Sequence, residues 1–384
     1  MIRNLLSRTF WAACALLPLE KNAVLFSSYG GKGYSDSPKA IARALLDSGE
    51  NVRLYWLVNG EKEAASLPEG VIAVDQNNSF ARIKAYSTSK VWVSNARLYV
   101  SRKRKGQFYL QTWHGFALKM IEADAAGALP EHYLATCRRD AALTDAVACG
   151  SGFMEGLFRR SFWYPETVEI LPTGTPRNDI FFRDSSEIPG KVRSLLGLDP
   201  HRKLALYAPT FRSDHSTDVY ALDPVAVKKA CEARFGGEWS VLIRLHPNIA
   251  SRSRGLFAYD GESIVDATAY PDMQELLRGV EMLITDYSSS MFDFALGGKP
   301  CVQFALDIEE YKKDRNFYLP IDDLPFPLAR SRDALEEAIR TYDEALWSRR
   351  WQEFAARPDI ALMEDGKAAD RCAQWILGKL GIRN

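Results

Sequence analysis

The chain holds five histidines, His114, His132, His201, His215 and His246, and two of them stand where residue type and position suit chemistry. His114 closes the segment Leu110-Gln111-Thr112-Trp113 and is followed by Gly115, which places it in a tight turn at the carboxyl end of a strand. An imidazole with an ordinary pKa near ~6.5 can take a proton from an attacking hydroxyl near neutrality. A histidine simply bonded into a strand-to-helix turn is the plainer alternative. His246 ends a second such segment, Arg244-Leu245-His246-Pro247. A permanently charged guanidinium beside an imidazole donor suits a diphosphate, and a pairing of Arg244 with a structural carboxylate competes with that reading.

Three further stretches offer anion contacts. Thr285-Asp286-Tyr287-Ser288-Ser289-Ser290 follows an apolar run and precedes helical residues 291–296. Ser288 and Ser289 would add hydroxyls to the free N–H groups of a helix start, although an ordinary capping serine reads the same way. Gly174-Thr175-Pro176-Arg177 and Pro209-Thr210-Phe211-Arg212 each carry an arginine to a strand end, where a surface position is the equal alternative. The loop Gly30-Gly31-Lys32-Gly33 does not match the dinucleotide fingerprint. With no HExxH, DxD or histidine–carboxylate cluster of ligand spacing, neither a metal nor a cofactor is expected.

Positioning these residues requires strands, and short β-branched runs alternate with helical patterns along the whole chain, the signature of an α/β protein with parallel sheets. Strands are predicted at 23–28, 52–58, 71–74, 91–94, 109–113, 146–149 and 169–172, with helices at 37–48 and 79–88. A stretch at 181–202 with Pro189, Gly190 and Pro200 reads as a boundary, after which strands resume at 204–207, 241–245, 264–266, 282–285 and 301–304. The expected division is an N-terminal helix at 1–20, a doubly wound domain at 21–190, and a second at 191–384 that ends in helices anchored by Trp347, Trp351, Phe354, Trp375 and Leu380. Open parallel sheets bind ligands at their carboxyl strand ends, so two such Rossmann-like domains are expected to face each other across a cleft.

Composition sets outer limits. The length of 384 residues exceeds what one core usually serves, and 47% hydrophobic with 26% charged residues excludes a disordered chain. Forty-nine basic residues balance forty-nine acidic ones, so no global field draws nucleic acid, and an anionic partner must be held locally. The six cysteines have no paired spacing and read as packing residues of a reducing compartment. Residues 10–17 form an apolar run too short for the ~20 residues of a membrane span. With Arg3 and Arg8 they read as an interfacial helix, Phe10 and Trp11 against lipid headgroups; packing on the protein's own domain is the alternative. The run Arg102-Lys103-Arg104-Lys105 adds a second contact for anionic lipid, or a solvated loop.

In order along the chain, QTWHG at 111–115, TGTPRND at 173–179, YAPTFR at 207–212, RLHP at 244–247 and DYSSSMFDF at 286–294 resemble the CDP-glycerol glycerophosphotransferase family, the teichoic-acid primases and polymerases. The stretch 34–39 and Lys299-Pro300, Tyr311, Arg315 and Tyr318 fit the same pattern, and the resemblance spans roughly 20–320. It implies a GT-B-like arrangement with an N-terminal acceptor domain and a C-terminal nucleotide domain. It further implies transfer of glycerol phosphate, or a related polyol phosphate, from a CDP-linked donor to a hydroxyl of a lipid-linked saccharide or polymer, with release of CMP. The work would be done by a peripheral protein on the cytoplasmic face of the cell membrane, in cell-wall teichoic-acid synthesis.

On that likeness His114 is the base and His246 the second catalytic residue. Gly174, Arg177, Pro209, Thr210, Arg212, Arg244, Asp286, Ser288, Ser289 and Arg315 would lie along the donor phosphates, and Trp113, Gly115 and Lys119 on the acceptor side. Two departures are visible: Phe116-Ala117 stands where the family often has Thr-Pro, and Asn316 follows Arg315 where it often has glycine. The first falls on the acceptor side and predicts an altered acceptor pocket. A GT-B sugar transferase or epimerase using a nucleotide sugar, and a non-catalytic binding protein, are the competing readings. Self-association into a homo-oligomer is compatible with all three.

Overall fold

The computed structural model describes residues 10, 11, 13, 14, 16–212, 218–246, 255–314 and 316–382. The chain divides into two compact units. The first holds residues 1–114, 122–179 and 362–384, the second 115–121 and 180–361.

The first unit is built on a seven-stranded sheet in the order β3-β2-β1-β4-β5-β6-β7, in which every pairing is parallel. Its strands are β1 (Glu20–Ser27), β2 (Arg53–Val58), β3 (Val71–Asp75), β4 (Ser89–Ser94), β5 (Phe108–Gln111), β6 (Ala146–Ala148) and β7 (Glu169–Leu171). A parallel sheet covered on both faces favours unbroken apolar strands. In β1 this is visible residue by residue: Val24 and Phe26 enter one core with Ile41 and Trp56, while Leu25 enters the opposite core with Trp92 and Tyr109.

The second unit repeats the plan with six parallel strands in the order β10-β9-β8-β11-β12-β13. These are β8 (Lys203–Tyr207), β9 (Trp239–Ile243), β10 (Ile264–Asp266), β11 (Met282–Thr285), β12 (Cys301–Phe304) and β13 (Leu328–Ala329). In each sheet the winding reverses beside the unit's first strand, between β1 and β4 and between β8 and β11. Such switch points open a crevice at the carboxyl strand ends.

Three boundaries differ from the sequence expectation. The units divide after Asp179 rather than at 190, because Pro189 and Gly190 lie inside the helix Glu187–Leu195. Proline is tolerated in a first helical turn, where its missing N–H has no partner to lose. The last helix, Ala368–Leu380, belongs to the first unit, not the second. Its apolar face, Ala369, Cys372, Ala373, Ile376, Leu377 and Leu380, fills the core containing Val24 and Phe26, and Asp179 accepts from the N–H groups of Ala368 (3.0 Å) and Ala369 (2.9 Å) at its start. Segment 115–121, in turn, is held by the second unit. Phe116 packs on Phe292 at 4.4 Å between ring centres, Met120 N–H donates to Asn316 O (2.8 Å), and Tyr318 N–H donates to Leu118 O (2.9 Å).

At the N-terminus, Trp11 is 8% exposed and packs with Cys14 against Leu25, Leu57 and Trp92, while Phe10 lies 4.3 Å from Phe80 between ring centres. The expected lipid-facing roles of Phe10 and Trp11 are therefore replaced by packing on their own unit, where the indole finds a deeper apolar site. Among the described residues no helix is long and apolar enough to cross a membrane. All six cysteines are buried and unpaired.

Candidate active site

The carboxyl ends of β1, β4 and β5 meet around His114. After β5 the chain does not continue straight. The Gln111 side chain accepts the Trp113 N–H (2.9 Å), and Trp113 turns at φ +52°. This swings the His114 ring against the Trp113 ring, 4.1 Å between centres, and brings its Nδ1 within 2.7 Å of the Asn95 carbonyl oxygen beyond β4. A carbonyl only accepts, so Nδ1 carries the hydrogen, and in the neutral ring Nε2 keeps its lone pair. Burial pulls the His114 pKa below its ordinary 6.5 and outweighs the support of the Asn95 bond and the nearby Asp36. The ring is thus neutral and basic at Nε2 near pH 7.

Around it stand residues the sequence reading did not single out. Tyr29, at φ +46°, donates its N–H to Asn95 Oδ1 (2.7 Å) and lies 6.0 Å from the His114 ring. Its hydroxyl donates to Asp36 Oδ2 (2.7 Å), which also takes Arg177 Nη1 at 2.8 Å. Burial pushes the Asp36 pKa up, but the Arg177 cation and the Tyr29 hydroxyl overcome it, and the net shift is downward. Tyr29, Asp36 and Trp113 are three of the few non-glycine residues with positive φ among those described. Such strain gathers where the surroundings over-determine a site. The one sequence signal that pointed here was the stretch around Ser35-Asp36-Ser37.

Arg177 and Gly174, expected along the donor phosphates, lie in this first unit. Arg177 is 8% exposed and paired with Asp36. Gly174 turns at φ +85° with the chain from 363 to 368 so close that a Cβ would meet Met363 O at 3.2 Å and Ala368 Cβ at 3.1 Å. Both are accounted for by the architecture of the first unit. Trp113 is 8% exposed, with Phe162 edge-on at 4.7 Å, so it backs the histidine rather than presenting a surface.

In the second unit the crevice between β8 and β11 is closed by Asp286, whose Oδ1 accepts the Thr210 N–H (2.8 Å) and whose Oδ2 accepts Arg212 Nη2 (2.8 Å). Arg212 is 7% exposed; it also grips Asp307 through Nε (2.7 Å) and Nη2 (2.9 Å) and donates Nη1 to Thr210 O (2.6 Å). Its fork is thereby committed to the protein, and it shapes the Pro209–Thr210 loop from beneath. Burial raises the pKa of Asp307, yet the Arg212 pairing lowers it further, so the pair stays charged. The guanidinium stacks over Tyr287 and Tyr311, 5.0 Å and 4.8 Å to the ring centres.

Arg244 leaves β9 half-buried, its N–H on Tyr207 O (2.9 Å), and His246 follows, exposed, 5.3 Å from the Phe211 ring. Ser288 and Ser289 are half-buried at the end of β11. The helix there, Ser290–Ala295, is a turn and a half long, and Ser288 Oγ accepts from Ser290 Oγ (2.9 Å). So short a helix has little dipole, and what this strand end presents is hydroxyls and backbone N–H groups.

Gly115 and Lys119 belong to the second unit; Lys119 Nζ donates to Tyr311 OH (2.7 Å). Phe116, the departure from the family pattern, is a buried packing residue against Phe292 and Phe354, which explains its apolar bulk without reference to an acceptor. Arg315 lies outside the described residues. Sequence reasoning thus found the strand ends of both units, and the structure groups Pro209, Thr210, Arg212, Arg244 and Asp286 at one of them.

Two doubly wound parallel sheets, each with polar side chains at its switch point, define a GT-B-like α/β protein. Residues 9–378 match the model of the CDP-glycerol:poly(glycerophosphate) glycerophosphotransferases, and the chain belongs to that family. It is 31% identical to the teichoic acid poly(glycerol phosphate) polymerase of Staphylococcus epidermidis, over 91% of this chain and 50% of that protein, so it spans half the length of that relative. To the teichoic acid glycerol-phosphate transferase of Staphylococcus aureus it is 28% identical over 98% of both chains. Its structure matches the wall teichoic acid polymerase TagF, in a form soaked with CDPG, with a TM-score of 0.84 at 28% identity, covering 99% of this chain and 96% of that one.

Proposed function

We propose that this chain transfers glycerol phosphate, or a closely related polyol phosphate, from a CDP-linked donor to a hydroxyl of a teichoic-acid-like acceptor carried on a membrane lipid, and releases CMP. Family membership supports the donor class, and the named relatives support the polymer. The observation that carries the reading is the fixed tautomer of His114, which leaves Nε2 as an acceptor at neutral pH.

The acceptor oxygen attacks the donor's β-phosphorus, the one bearing the polyol. The new P–O bond forms as the bond to the CMP oxygen breaks, and the hydroxyl proton passes to His114 Nε2. CMP leaves with the electron pair. Arg244, His246 and the hydroxyls of Ser288 and Ser289 would balance charge on the diphosphate, with Thr210 and Asp286 shaping the loop. Such transfers depend mainly on positioning and electrostatic stabilisation.

The test is CMP release from a panel of CDP-polyols and nucleotide sugars, with a lipid-linked saccharide as acceptor. Acceptor-dependent CMP release from one CDP-polyol, reduced about 10²–10⁴-fold in His114→Ala with donor binding kept, is the expected result, that being the usual cost of losing a base. Glycosidic product with release of a nucleoside diphosphate would replace this reading by a sugar transferase. Donor binding without turnover on any acceptor would replace it by a binding protein.

A further inference from the structure

We infer that Gln111 is a positioning residue for the His114 base, a role that rests on the reaction proposed above. Gln111 is fully buried at the end of β5, and each end of its amide is spoken for. Its Oε1 accepts the Trp113 N–H at 2.9 Å. Its Nε2 donates to the Ala96 carbonyl at 3.2 Å and to the Tyr109 hydroxyl oxygen at 2.8 Å. The orientation is forced, because an N–H can only donate and a carbonyl can only accept.

Two of these partners, Trp113 and Ala96, lie in the chain segments that fix the base. Trp113 precedes His114 and holds a left-handed turn, a strained conformation that persists only where the surroundings over-determine it. Ala96 follows Asn95, whose carbonyl receives the His114 Nδ1 hydrogen. One side chain therefore ties the residue before the base to the residue after its tautomer-setting partner.

The far side is anchored. Tyr109 donates its hydroxyl to Asp140 Oδ1 (3.1 Å), Asp140 Oδ2 takes Arg97 Nη1 (2.9 Å), and Arg97 Nε reaches Glu122 (2.7 Å), all of them buried. Arg97 is further enclosed by Phe162 and Tyr164, at 5.1 Å and 5.2 Å to the ring centres. The amide is thus held against a rigid ionic core rather than against solvent. No other side-chain type offers one acceptor and two donors at this length. Glutamate would face the Ala96 carbonyl with an oxygen, and methionine would take the amide acceptor from the Trp113 N–H and the amide donor from Ala96 and Tyr109.

The experiment compares wild type, Gln111→Met, Gln111→Glu and Tyr109→Phe by CMP release across pH, with thermal melting and CDP-glycerol binding alongside. In Gln111→Met, kcat should fall 10- to 100-fold, donor KM should stay within about twofold, and the acid limb of the pH profile should move. Tyr109→Phe, which removes only the outer anchor, should show a smaller change of the same kind. Wild-type kcat and an unmoved acid limb in a folded Gln111→Met would overturn the inference. So would a loss that follows melting temperature alone and vanishes on cooling.

A second readout separates this from failure of the proposed reaction. If wild type releases no CMP from any CDP-polyol, nitrogen NMR of the His114 ring still decides. Loss of the Nδ1–H tautomer or of its slowly exchanging proton in Gln111→Met supports the positioning role, and an unchanged ring signal refutes it.

Discussion

At the scale of single residues, the decisive feature is which nitrogen of His114 holds a proton. The Asn95 carbonyl settles that by geometry, and burial settles the charge by keeping the pKa below 6.5. A base works only when unprotonated, so kcat should rise with pH through an inflection below 6.5 and level off by neutrality, as a pH–rate profile with saturating acceptor would measure. The stability consequence has the same sign. Just below pH 6.5 the unfolded chain binds the proton that the native state resists, so this contribution is present above 6.5 and is lost as pH falls. Chemical denaturation of wild type and His114→Asn at pH 5.5 and 7.5 should show the wild type losing more on acidification. The histidine and its strand-end setting could be read from QTWHG. Tyr29, Asp36 and Asn95 could not be placed beside it, because they follow β1 and β4, whose place next to β5 is set by the sheet order β1-β4-β5.

At the scale of elements, short motifs turn out to divide their labour. Gly174 and Arg177 of TGTPRND were expected along a phosphate; in the structure Arg177 pairs with Asp36 and Gly174 makes room for the chain entering the last helix, while Asp179 caps that helix through two N–H bonds. Motif residues can serve the scaffold as well as the substrate. Replacing Asp179 by alanine removes the partner of two buried N–H groups, at a cost of about 1–3 kcal/mol. The expected outcome is a lower melting temperature with donor binding preserved; donor affinity falling in step with stability would return the motif to the phosphate. Arg212 shows the same division: a strand-end guanidinium that the sequence offered as a ligand is consumed by Asp286 and Asp307. Only coordinates reveal which charge is already matched, because the carboxylates come from after β11 and β12.

At the scale of the whole molecule, the first unit presents Leu16 at 88% and Tyr99 at 81% exposure, with Arg102 and Lys105 exposed nearby in sequence to Tyr99. We predict that the basic run with Arg102 and Lys105 carries the protein to anionic lipid, in place of the buried Trp11. Arg102→Glu with Lys105→Glu should cut flotation with phosphatidylglycerol vesicles at least tenfold and leave CMP release to a soluble acceptor unchanged, since neither residue touches the proposed site. Equal flotation would remove the basic run from consideration. The alternation of apolar strands and helices determined the α/β class and the strands of both sheets except β13, because burial on two faces demands continuous apolar runs wherever they occur. The histidines, arginines and serines singled out after those runs likewise follow the carboxyl ends of strands. Tertiary structure alone decided that the last helix closes the first unit and that residues 115–121 join the second. An amphipathic helix records that one face must be buried and not which sheet will bury it, and a guanidinium records its charge and not which carboxylates will surround it.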